Sequence, residues 1–347
     1  MTTTGASAVP AAEDERRMRR AVELAAGVRT RTSPNPWVGA VLVCADGTEV
    51  EGATEPPGGH HAEAQALGRA REAGLDVRGA TIVTTLEPCS HHGRTPPCVD
   101  TLLDAGVTRV VVGVLDPDPH VSGRGVDRLR RAGVDVVVGV LGPEVESQLA
   151  AYLHHRRTGR PWVTLKLAAT LDGRTAAPDG SSRWITGEEA RTDVHRERAH
   201  HDAVLVGAGT VRTDDPELTV RHVEGRDPLR VVLGRAPEGA RVHPCLQLSG
   251  GLDEVLDQLG GSGVLSVLVE GGAAVASAFH AAGLVDRYLL YVAPALLGGD
   301  DGRPVFTGAG APTMAAAWRG RFTSVDHLGP DLRLEVAPAG ASAAGVG

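Results

Sequence analysis

The sequence is short of lysine, of aromatic residues and of long apolar runs, and each shortage excludes a class of protein. Lys166 is the only lysine among 35 lysine and arginine residues. Either its amine has a function that arginine cannot replace, or it has been retained on a strand by chance. Aromatic residues make up 3% and the formal net charge is −8. Nucleic-acid binders combine a basic face with stacking aromatic residues, so a nucleic-acid partner is not expected. No apolar run approaches the roughly 18 residues of a membrane span, so no membrane partner is expected either.

Cysteine is also scarce. The four residues Cys44, Cys89, Cys98 and Cys245 are too few for a disulfide scaffold. The first dozen residues lack the basic and apolar regions of a signal peptide. Both observations predict a cytoplasmic protein with reduced thiols.

The length of 347 residues fits two domains better than one. Helix and strand patterns alternate over 13–141, and a further helix over 143–158 ends at a Gly-Arg-Pro sequence, where proline stops it. A second alternating series follows. We therefore expect two layered α/β domains, 13–159 and 160–337.

The apolar pattern also predicts the individual elements. Valine-rich strands such as 134–141 are typical of a buried, mostly parallel sheet. The predicted helices cover 13–28, 61–73, 97–105, 123–132, 143–158, 187–200, 252–259 and 273–283. The predicted strands cover 38–43, 80–86, 109–115, 134–141, 162–168, 203–207, 229–233, 264–269 and 287–293.

One histidine and two cysteines form a candidate metal site in the first domain. His61 and Glu63 make an H-x-E motif at a helix start, Cys89 follows a strand, and Cys98 begins the next helix. One imidazole and two thiolates suit Zn²⁺ and leave its fourth position for water. Zinc lowers the pKa of that water to about 7, and Glu63 is the candidate to shuttle its proton. Zinc deaminases carry H-x-E followed by P-C-x-x-C, whereas eight residues separate the two cysteines here.

Other ligands remain possible from the sequence. His60, His91 and His92 are each either a ligand or a loop histidine. A structural zinc site normally has four protein ligands, but Cys44 lies on a strand and Cys245 in the other domain, so neither is an obvious fourth. The catalytic interpretation is therefore preferred.

The long insertion between the two cysteines makes a resemblance specific. CSHHGRTPPC, with SPNPWVGAVLV (33–43) and DPDPHVSGRG (116–125), closely resembles the bifunctional deaminase/reductases of riboflavin biosynthesis. Cytidine and tRNA-adenosine deaminases share the HAE and PC elements but lack this insertion. The second half matches the same family in order, through LKLAATLDGRTA, SSRWITGEEAR, VGAGTVRTDDPELTVR, VLVEGGAAVASAF and YLLYVAPALLGG.

The resemblance covers residues from about 15 to 337 and implies both fold and function. It implies a cytidine-deaminase-like three-layer domain followed by a dihydrofolate-reductase-like domain that uses NADPH. The first domain would deaminate a diaminopyrimidinone ribosyl phosphate, and the second would reduce the resulting phosphoribosylaminouracil to its ribityl product. A homodimer or higher homo-oligomer is implied by the family alone.

The resemblance also assigns substrate contacts in the first domain. Asn35 is expected to read the pyrimidine ring and Arg94 to contact the ribose phosphate, where family members often carry lysine. The alternatives are a turn-forming Asn-Pro and a solvated loop arginine. Thr54 stands where many members have histidine and Asp118 where many have asparagine.

Further assignments concern the second domain, where Asp172 is expected to face the same cleft as two of the substrate contacts. The substrate contacts are expected to be Lys166, Ser182, Arg198, Leu218, Arg221 and Glu270. The NADPH contacts are expected to be Ala168, Trp184, Thr210, Asp214, Gly272, Ala273, Ala274, Val275, Ala276, Ser277 and Ala278.

Glycines mark the expected cofactor turn of this domain. Gly271 and Gly272 lie between a strand and a helix, where backbone N–H groups can approach a pyrophosphate, although an ordinary tight turn has the same pattern. No G-x-G-x-x-G fingerprint with a following acidic residue is present, so a Rossmann domain is not expected.

The region 234–263 departs from the family. It is short, and Gly234-Arg235 stands where aspartate and serine are more usual. Arg235 is therefore predicted to bind the 2′-phosphate of NADPH, with a solvated loop arginine as the alternative. The same departure leaves a second functional hypothesis, a zinc deaminase whose reductase-like half is non-catalytic or repurposed.

Overall fold

The computed structural model describes residues 11–90, 96–118 and 121–339. These residues fall into two compact units whose boundary along the chain lies between Arg157 and Thr158. Within the described ranges no helix is long and apolar enough to cross a membrane.

The first unit is a sheet with helices packed against it. Its helices are α1 (Ala11–Ala26), α2 (Arg29–Thr32), α3 (Ala62–Glu72), α4 (Cys98–Asp104), α5 (Arg124–Arg131), α6 (Gly142–Gln148) and α7 (Ala150–Thr158). Its strands are β1 (Gly39–Val43), β2 (Glu49–Ala53), β3 (Thr81–Leu86), β4 (Arg109–Val114) and β5 (Asp135–Val138).

The strands of this sheet follow the order β2-β1-β3-β4-β5. β1 is antiparallel to both of its neighbours, whereas β3, β4 and β5 run parallel. β3 and β4 are buried along almost their whole length, which suits their runs of valine, isoleucine and leucine. Their carboxyl ends lie side by side, so the segments that follow β3 and β4 begin at the same edge of the sheet.

Two glycines show how the helices are layered. A Cβ on Gly39 would lie 1.9 Å from the Ala21 carbonyl oxygen of α1, and one on Gly52 would lie 2.2 Å from the Ala62 carbonyl oxygen of α3. Ala40 pairs with Gly52, so Gly39 and Gly52 point to opposite faces of the sheet. The helices α1 and α3 therefore cover opposite faces, which makes three layers.

The second unit contains a larger sheet. Its helices are α8 (Glu188–His200), α9 (Ala208–Asp214), α10 (Leu252–Gly261) and α11 (Ala273–Ala281), with a short 3₁₀ helix at Met314–Ala316. Its strands are β6 (Trp162–Thr170), β7 (Arg174–Ala176), β8 (Ala203–Gly207), β9 (Leu229–Leu233), β10 (Leu246–Leu248), β11 (Ser266–Val269), β12 (Arg287–Ala293), β13 (Arg303–Pro304), β14 (Gly320–Leu328) and β15 (Asp331–Pro338).

Eight of these strands form one sheet in the order β10-β9-β8-β11-β6-β12-β15-β14. The first six run parallel, and β15 and β14 add an antiparallel pair at one edge. A core of valine, leucine and phenylalanine fills the space between this sheet and the helices α10 and α11. The parallel strands place the ends of β6, β8 and β11 at one edge, where connecting segments can form a site.

The structure contains the predicted elements with small shifts in their ends and adds several that the sequence did not predict. The predicted helix 143–158 is two helices, α6 and α7. β2 was missed because Glu49 and Glu51 give it little apolar character; both pair with arginines of α1, Arg16 at 2.5 Å and Arg20 at 2.6 Å. α9, the short strands β7, β10 and β13, and the β14–β15 pair were missed as well.

The separate cores predict that each half folds alone. Fragments 1–159 and 160–347 should each give a cooperative thermal unfolding transition, because each keeps its own sheet and helices. Circular dichroism of the purified fragments provides the measurement. Fragments that are soluble only when co-expressed would contradict independent folding.

Candidate active sites

A histidine, a glutamate and two cysteines from three chain segments meet in the first unit. His61 precedes α3, Cys89 follows β3, and Cys98 begins α4. His61 Nδ1 lies 3.6 Å from Cys89 Sγ and 3.3 Å from Cys98 Sγ, and all three candidate ligand atoms lie within 4.8 Å of one another. Zinc bonds of about 2.0 Å to nitrogen and about 2.3 Å to sulfur in a tetrahedron separate N from S by about 3.5 Å. The donor set and its spacing therefore fit zinc.

The rival ligands do not join this group, which is the one such set of three or more candidate ligands in the described ranges. His60 is not part of it. Cys44 is buried at the end of β1, and Cys245 belongs to the second unit. His91 and His92 lie outside the described residues.

Proton affinities at this site are shifted by burial and by the neighbours. Hydrogen bonds from the Cys98 side chain and from His61 lower the pKa of Cys89. The Cys98 backbone N–H also donates to Cys89 Sγ at 3.3 Å. Burial raises the pKa of Glu63, whose side chain lies 3.5 Å from Cys98 Sγ. Glu63 thus combines contact with the ligands and a carboxyl group that takes up a proton readily.

A cavity of about 380 Å³ opens onto His61, Glu63 and Cys89. Its lining includes three further residues singled out from the sequence, Asn35, Thr54 and Asp118. Arg94, the expected phosphate contact, lies outside the described residues.

Two residues of α7 that the sequence analysis missed also line this cavity. The Tyr152 hydroxyl donates to Asp116 Oδ2 at 2.9 Å. The Arg156 guanidinium lies 4.9 Å from the centre of the Tyr152 ring, and its Nε is 3.8 Å from Asp118 Oδ2. The i,i+4 spacing of Tyr152 and Arg156 within a predicted helix was the available signal, since it places both on one face.

Glu87, directly before Pro88-Cys89, was also missed. Its buried carboxylate accepts hydrogen bonds at 2.9 to 3.2 Å from four backbone N–H groups, those of Asp116, Gly123, Gly125 and Val126. A buried carboxylate needs such donors, because burying an ionised carboxylate without partners costs far more than the roughly 2–7 kcal/mol of an unpaired amide or hydroxyl. Glu87 therefore fixes the segment that carries Asp116 and Asp118 against the end of β3.

Two adjoining cavities open at the carboxyl edge of the parallel strands in the second unit. Their volumes are about 460 and 660 Å³. Lys166 and Ala168 of β6 and Glu270 after β11 line both, together with Ser182 and Asp214.

The expected cofactor and substrate residues divide between these cavities. Trp184, expected to contact the cofactor, lines the larger cavity instead. The smaller cavity takes in Ala168, Thr210, Asp214, Gly272, Ala273, Ala274 and Val275. The larger cavity takes in Lys166, Ser182, Arg198, Leu218, Arg221 and Glu270.

Some expected residues lie elsewhere among the described residues. Ala276 is fully buried in the core between sheet and helices, and the Ser277 hydroxyl accepts from a backbone N–H at 2.7 Å. Neither Ala278 nor the exposed Arg235 is among the described residues lining the two cavities. Asp172 accepts from the backbone N–H groups of residues 297 and 298 at 2.8 to 3.3 Å and is not among the described residues that line the two cavities.

A charged group of three residues lies where the cavities adjoin. Arg198 Nε and Nη2 contact the two carboxylate oxygens of Glu270 at 2.6 and 2.8 Å, and Arg198 Nη1 donates to the Thr219 carbonyl at 3.1 Å. Burial lowers the pKa of the Lys166 ammonium, while the nearby Glu270 carboxylate opposes that shift. The ion pair between Arg198 and Glu270 holds the Arg198 side chain near Lys166, the single lysine of the chain.

Close packing explains the glycines at the start of α11. A Cβ on Gly271 would lie 2.5 Å from Val275 Cβ, and one on Gly207 would lie 2.8 Å from Val275 Cγ2. The Gly272 N–H donates to Thr210 Oγ1 at 3.2 Å. The backbone thus brings the first turn of α11 to the smaller cavity.

Comparisons with known proteins match a family model to each of the two units. The family described as “Cytidine and deoxycytidylate deaminase zinc-binding region” matches residues 11–114, and “RibD C-terminal domain” matches residues 161–334. “Riboflavin biosynthesis protein RibD” of Mycobacterium tuberculosis is 44% identical over 339 residues, which cover 92% of this chain and 96% of that relative. The chain belongs to the RibD family.

Other RibD proteins extend the match over the whole fold. The RibD protein of Escherichia coli is 41% identical over 368 residues, covering 93% of this chain and 99% of its own length. The structure of Acinetobacter baumannii RibD superposes with a TM-score of 0.88 at 38% identity, covering 95% of this chain and 99% of that one. The Thermotoga maritima deaminase/reductase gives 0.88 at 36% identity with the same coverage.

Membership of the RibD family confirms the resemblance and the fold class expected from the sequence, a cytidine-deaminase-like domain followed by a reductase domain. The chain is an enzyme with two activities in riboflavin biosynthesis, a deaminase that uses zinc and a reductase that uses NADPH. The roles of individual residues remain predictions.

His195 is a further residue of the RibD reductase cavity that the sequence analysis missed. Its Nδ1 lies 3.0 Å from the Thr219 carbonyl oxygen and 3.1 Å from the Arg221 backbone nitrogen. Burial, with the charges of Arg198 and Arg221, lowers its pKa to about 4, so the ring is neutral at pH 7. Its position three residues before Arg198 on one helix was the available signal.

Replacing Glu63 by glutamine separates a proton carrier from a metal ligand. Glu63→Gln keeps the shape of the side chain and should retain zinc, while ammonia release falls by roughly 10²–10⁴ because the proton shuttle is lost. Zinc content and ammonia release are measured on the same sample. Glu72→Gln, an exposed change on the same helix, is the matched control. Stoichiometric loss of zinc in Glu63→Gln would make Glu63 a ligand.

Proposed function

We propose that the chain carries out two consecutive steps on one phosphorylated pyrimidine. The first is hydrolytic deamination of 2,5-diamino-6-ribosylamino-4(3H)-pyrimidinone 5′-phosphate, and the second is NADPH reduction of 5-amino-6-(5-phosphoribosylamino)uracil to the ribitylamino product. The T. maritima relative is named as a deaminase and reductase of these two compounds. The observation that carries the proposal is that one chain contains both kinds of site. The first unit has a His/Cys/Cys group beside Glu63, and the second unit has Lys166, Glu270 and Arg198 at its own two cavities.

In the deaminase half, His61, Cys89 and Cys98 would hold zinc. When bound, zinc supplies a water whose pKa is lowered to about 7. The Glu63 carboxylate would take a proton from this water and deliver it to the ring nitrogen and to the departing amine. Burial raises the pKa of Glu63, which helps the carboxyl group to hold the proton between these two steps. Asn35 at the cavity wall presents amide donor and acceptor groups to the pyrimidine edge.

In the reductase half, the smaller cavity would hold NADPH, with its pyrophosphate at the first turn of α11. NADPH supplies a hydride when bound. The ribosylamino group of the substrate would react in its open-chain imine form. Reduction of that imine adds a hydride to its carbon and a proton to its nitrogen. Lys166 is assigned to the proton, since it lies where the cavities adjoin and burial lowers the pKa of its ammonium. Arg198 and Arg221 are assigned to the substrate in the larger cavity.

Compartment and assembly complete the proposal. Cys44, Cys89, Cys98 and Cys245 are free thiols, which fits the reducing cytoplasm. Exposed apolar side chains on and beside the edge strand β14, Trp318, Phe322 and Val325, support a homodimer, because an open apolar edge favours pairing with another chain. Sedimentation as a monomer at micromolar concentration would contradict the dimer.

The two activities should separate when the metal is removed. Chelation, or Cys89→Ser, should abolish ammonia release yet leave NADPH oxidation with supplied deaminated substrate nearly intact, because the metal residues all belong to the first unit. Absorbance at 340 nm and an ammonia assay follow the two steps. Cys245→Ser, a partly buried thiol of the second unit, is the control.

Two other results would overturn this assignment. Equal loss of both activities would show that zinc holds the whole fold together. An untreated protein that releases ammonia but oxidises no NADPH with the deaminated product would favour the rival hypothesis of a non-catalytic second half.

Arg235 is proposed to recognise the 2′-phosphate of NADPH. It directly follows β9 and Gly234, whose φ of 94° turns the chain at the carboxyl end of that strand. A Cβ on Gly234 would lie 3.3 Å from Ala208 at the start of α9, the helix that carries Thr210. Arg235 is exposed, so its guanidinium is accessible to a ligand that extends beyond the smaller cavity.

Arg235→Ala should therefore lower kcat/KM for NADPH about tenfold or more and barely change that for NADH. Loss of a charge-assisted hydrogen bond, about 1–3 kcal/mol, gives an effect of this size. Steady-state kinetics with both cofactors provide the measurement. Parallel losses for the two cofactors, or no loss for either, would leave Arg235 as a solvated loop residue.

A further inference from the structure

A second arginine lies beside Arg221 in the larger cavity of the second unit. Glu217 joins the two, because one of its carboxylate oxygens accepts from Arg221 Nη1 and the other from Arg241 Nη2. All three residues line the cavity. Arg241 comes from the connection between β9 and β10, and the sequence analysis gave it no role.

Both arginines are carried by anchored backbone. The Arg241 backbone N–H donates to Asp215 Oδ1 at 2.8 Å, and the Arg221 backbone N–H donates to His195 Nδ1 at 3.1 Å. Asp215 and Leu218 have φ of 42° and 55°, a left-handed conformation that side chains with a Cβ adopt only when the surroundings hold them. The segment 215–221, which ends at Arg221 and also anchors the Arg241 backbone through Asp215, is thus held in one shape.

The two guanidinium groups have donors left for a ligand. Each guanidinium has five N–H groups, of which Glu217 takes one from each, and Thr219 Oγ1 also contacts Arg221 Nη1 at 2.7 Å. The side chains of Arg221 and Arg241 are 46% and 59% exposed. Glu217 therefore offsets the mutual repulsion of the two charges while the remaining donors face solvent in the cavity.

The charge of the cavity selects the ligand. Six lysine and arginine side chains line it against four carboxylates. A phosphate monoester carries a charge of about −1.5 to −2 at pH 7 and accepts several charge-assisted hydrogen bonds. Two forked donors side by side suit such a group better than a singly charged carboxylate.

We propose that Arg241, paired with Arg221 through Glu217, binds the phosphate monoester of the pyrimidine substrate. The proposal rests on the reductase function assigned above. NADPH carries a phosphate monoester too, at its 2′ position. The first turn of α11, assigned to the cofactor, lines the smaller cavity, whereas Arg241 lines only the larger one among the described residues. The substrate is therefore the source of the phosphate.

Steady-state kinetics of Arg241→Gln test the assignment. KM for the phosphorylated aminouracil should rise about tenfold or more, the size of a lost charge-assisted hydrogen bond, while kcat and KM for NADPH stay unchanged. With the dephosphorylated aminouracil the variant should match the unmodified protein. Arg241→Lys, which keeps the charge but not the fork, should lie between the two.

Arg226→Gln is the matched control, an arginine that is 50% exposed with one ion pair to Asp202 and no place in the cavity lining. Arg241→Gln kinetics equal to those of the control would overturn the proposal. A rise in KM for NADPH alone would overturn it too, by making the cofactor the source of the phosphate.

Thermal unfolding gives a readout that needs no reductase activity. Inorganic phosphate should raise Tm of the unmodified protein and of Arg226→Gln above that in chloride at equal ionic strength. The rise should be clearly smaller for Arg241→Gln. A smaller rise in Tm for Arg241→Gln, found in a protein that oxidises no NADPH, would support the phosphate site and contradict the reductase function. An equal rise in Tm for all three proteins would contradict the phosphate site.

Discussion

A buried charge has to be paired with hydrogen-bond or ion-pair partners inside the protein, and this constraint fixes walls of the cavities in both units. In the first unit the Glu87 carboxylate accepts hydrogen bonds from four backbone N–H groups and thereby holds residue 116 and residues 123–126 against the end of β3. In the second unit Arg198 and Glu270 satisfy each other through two hydrogen bonds. Neither pairing requires a ligand, so the walls of each cavity are set before a substrate arrives.

In both units the functional residues follow the carboxyl ends of parallel strands, although the chemistry of the two sites differs. In each, parallel strands end at a common edge, and the residues that follow the strands form the cavity wall. Glu87 and Cys89 follow β3 in the first unit, and Glu270 follows β11 in the second. Functional side chains thus come from a rigid sheet edge, which fixes their spacing.

The sequence identified the site whose residue types and motifs together point to one metal, although its members come from three chain segments. His61, Glu63, Cys89 and Cys98 are recognisable because their residue types and spacing suit zinc, and the structure brings them together. Arg241 was not recognisable, because one arginine among many, with its partner Glu217 24 positions away, belongs to no motif that indicates a chemistry. Partners of that kind depend on how the strands are ordered, which local patterns do not encode.

The missed strands have a related cause. β2 has the sequence Glu-Val-Glu-Gly-Ala, in which Val50 is the only large apolar residue and both glutamates pair with arginines of α1, so its apolar signal is too short to identify a strand. In the same way, Ala276 belongs to the α11 sequence expected to contact NADPH, yet its side chain is buried in the core. A motif marks a backbone segment, and only the helix geometry decides which of its side chains point outward.

The single lysine has a practical consequence. Lys166 carries the only side-chain amine of the chain, and it lies at the junction of the two reductase cavities. Amine-directed reagents, which modify many surface positions in most proteins, here have one side-chain target besides the amino terminus. Isotopically labelled methyl groups added by reductive alkylation would therefore give one side-chain resonance from the reductase cavity, a spectroscopic probe that requires no mutation.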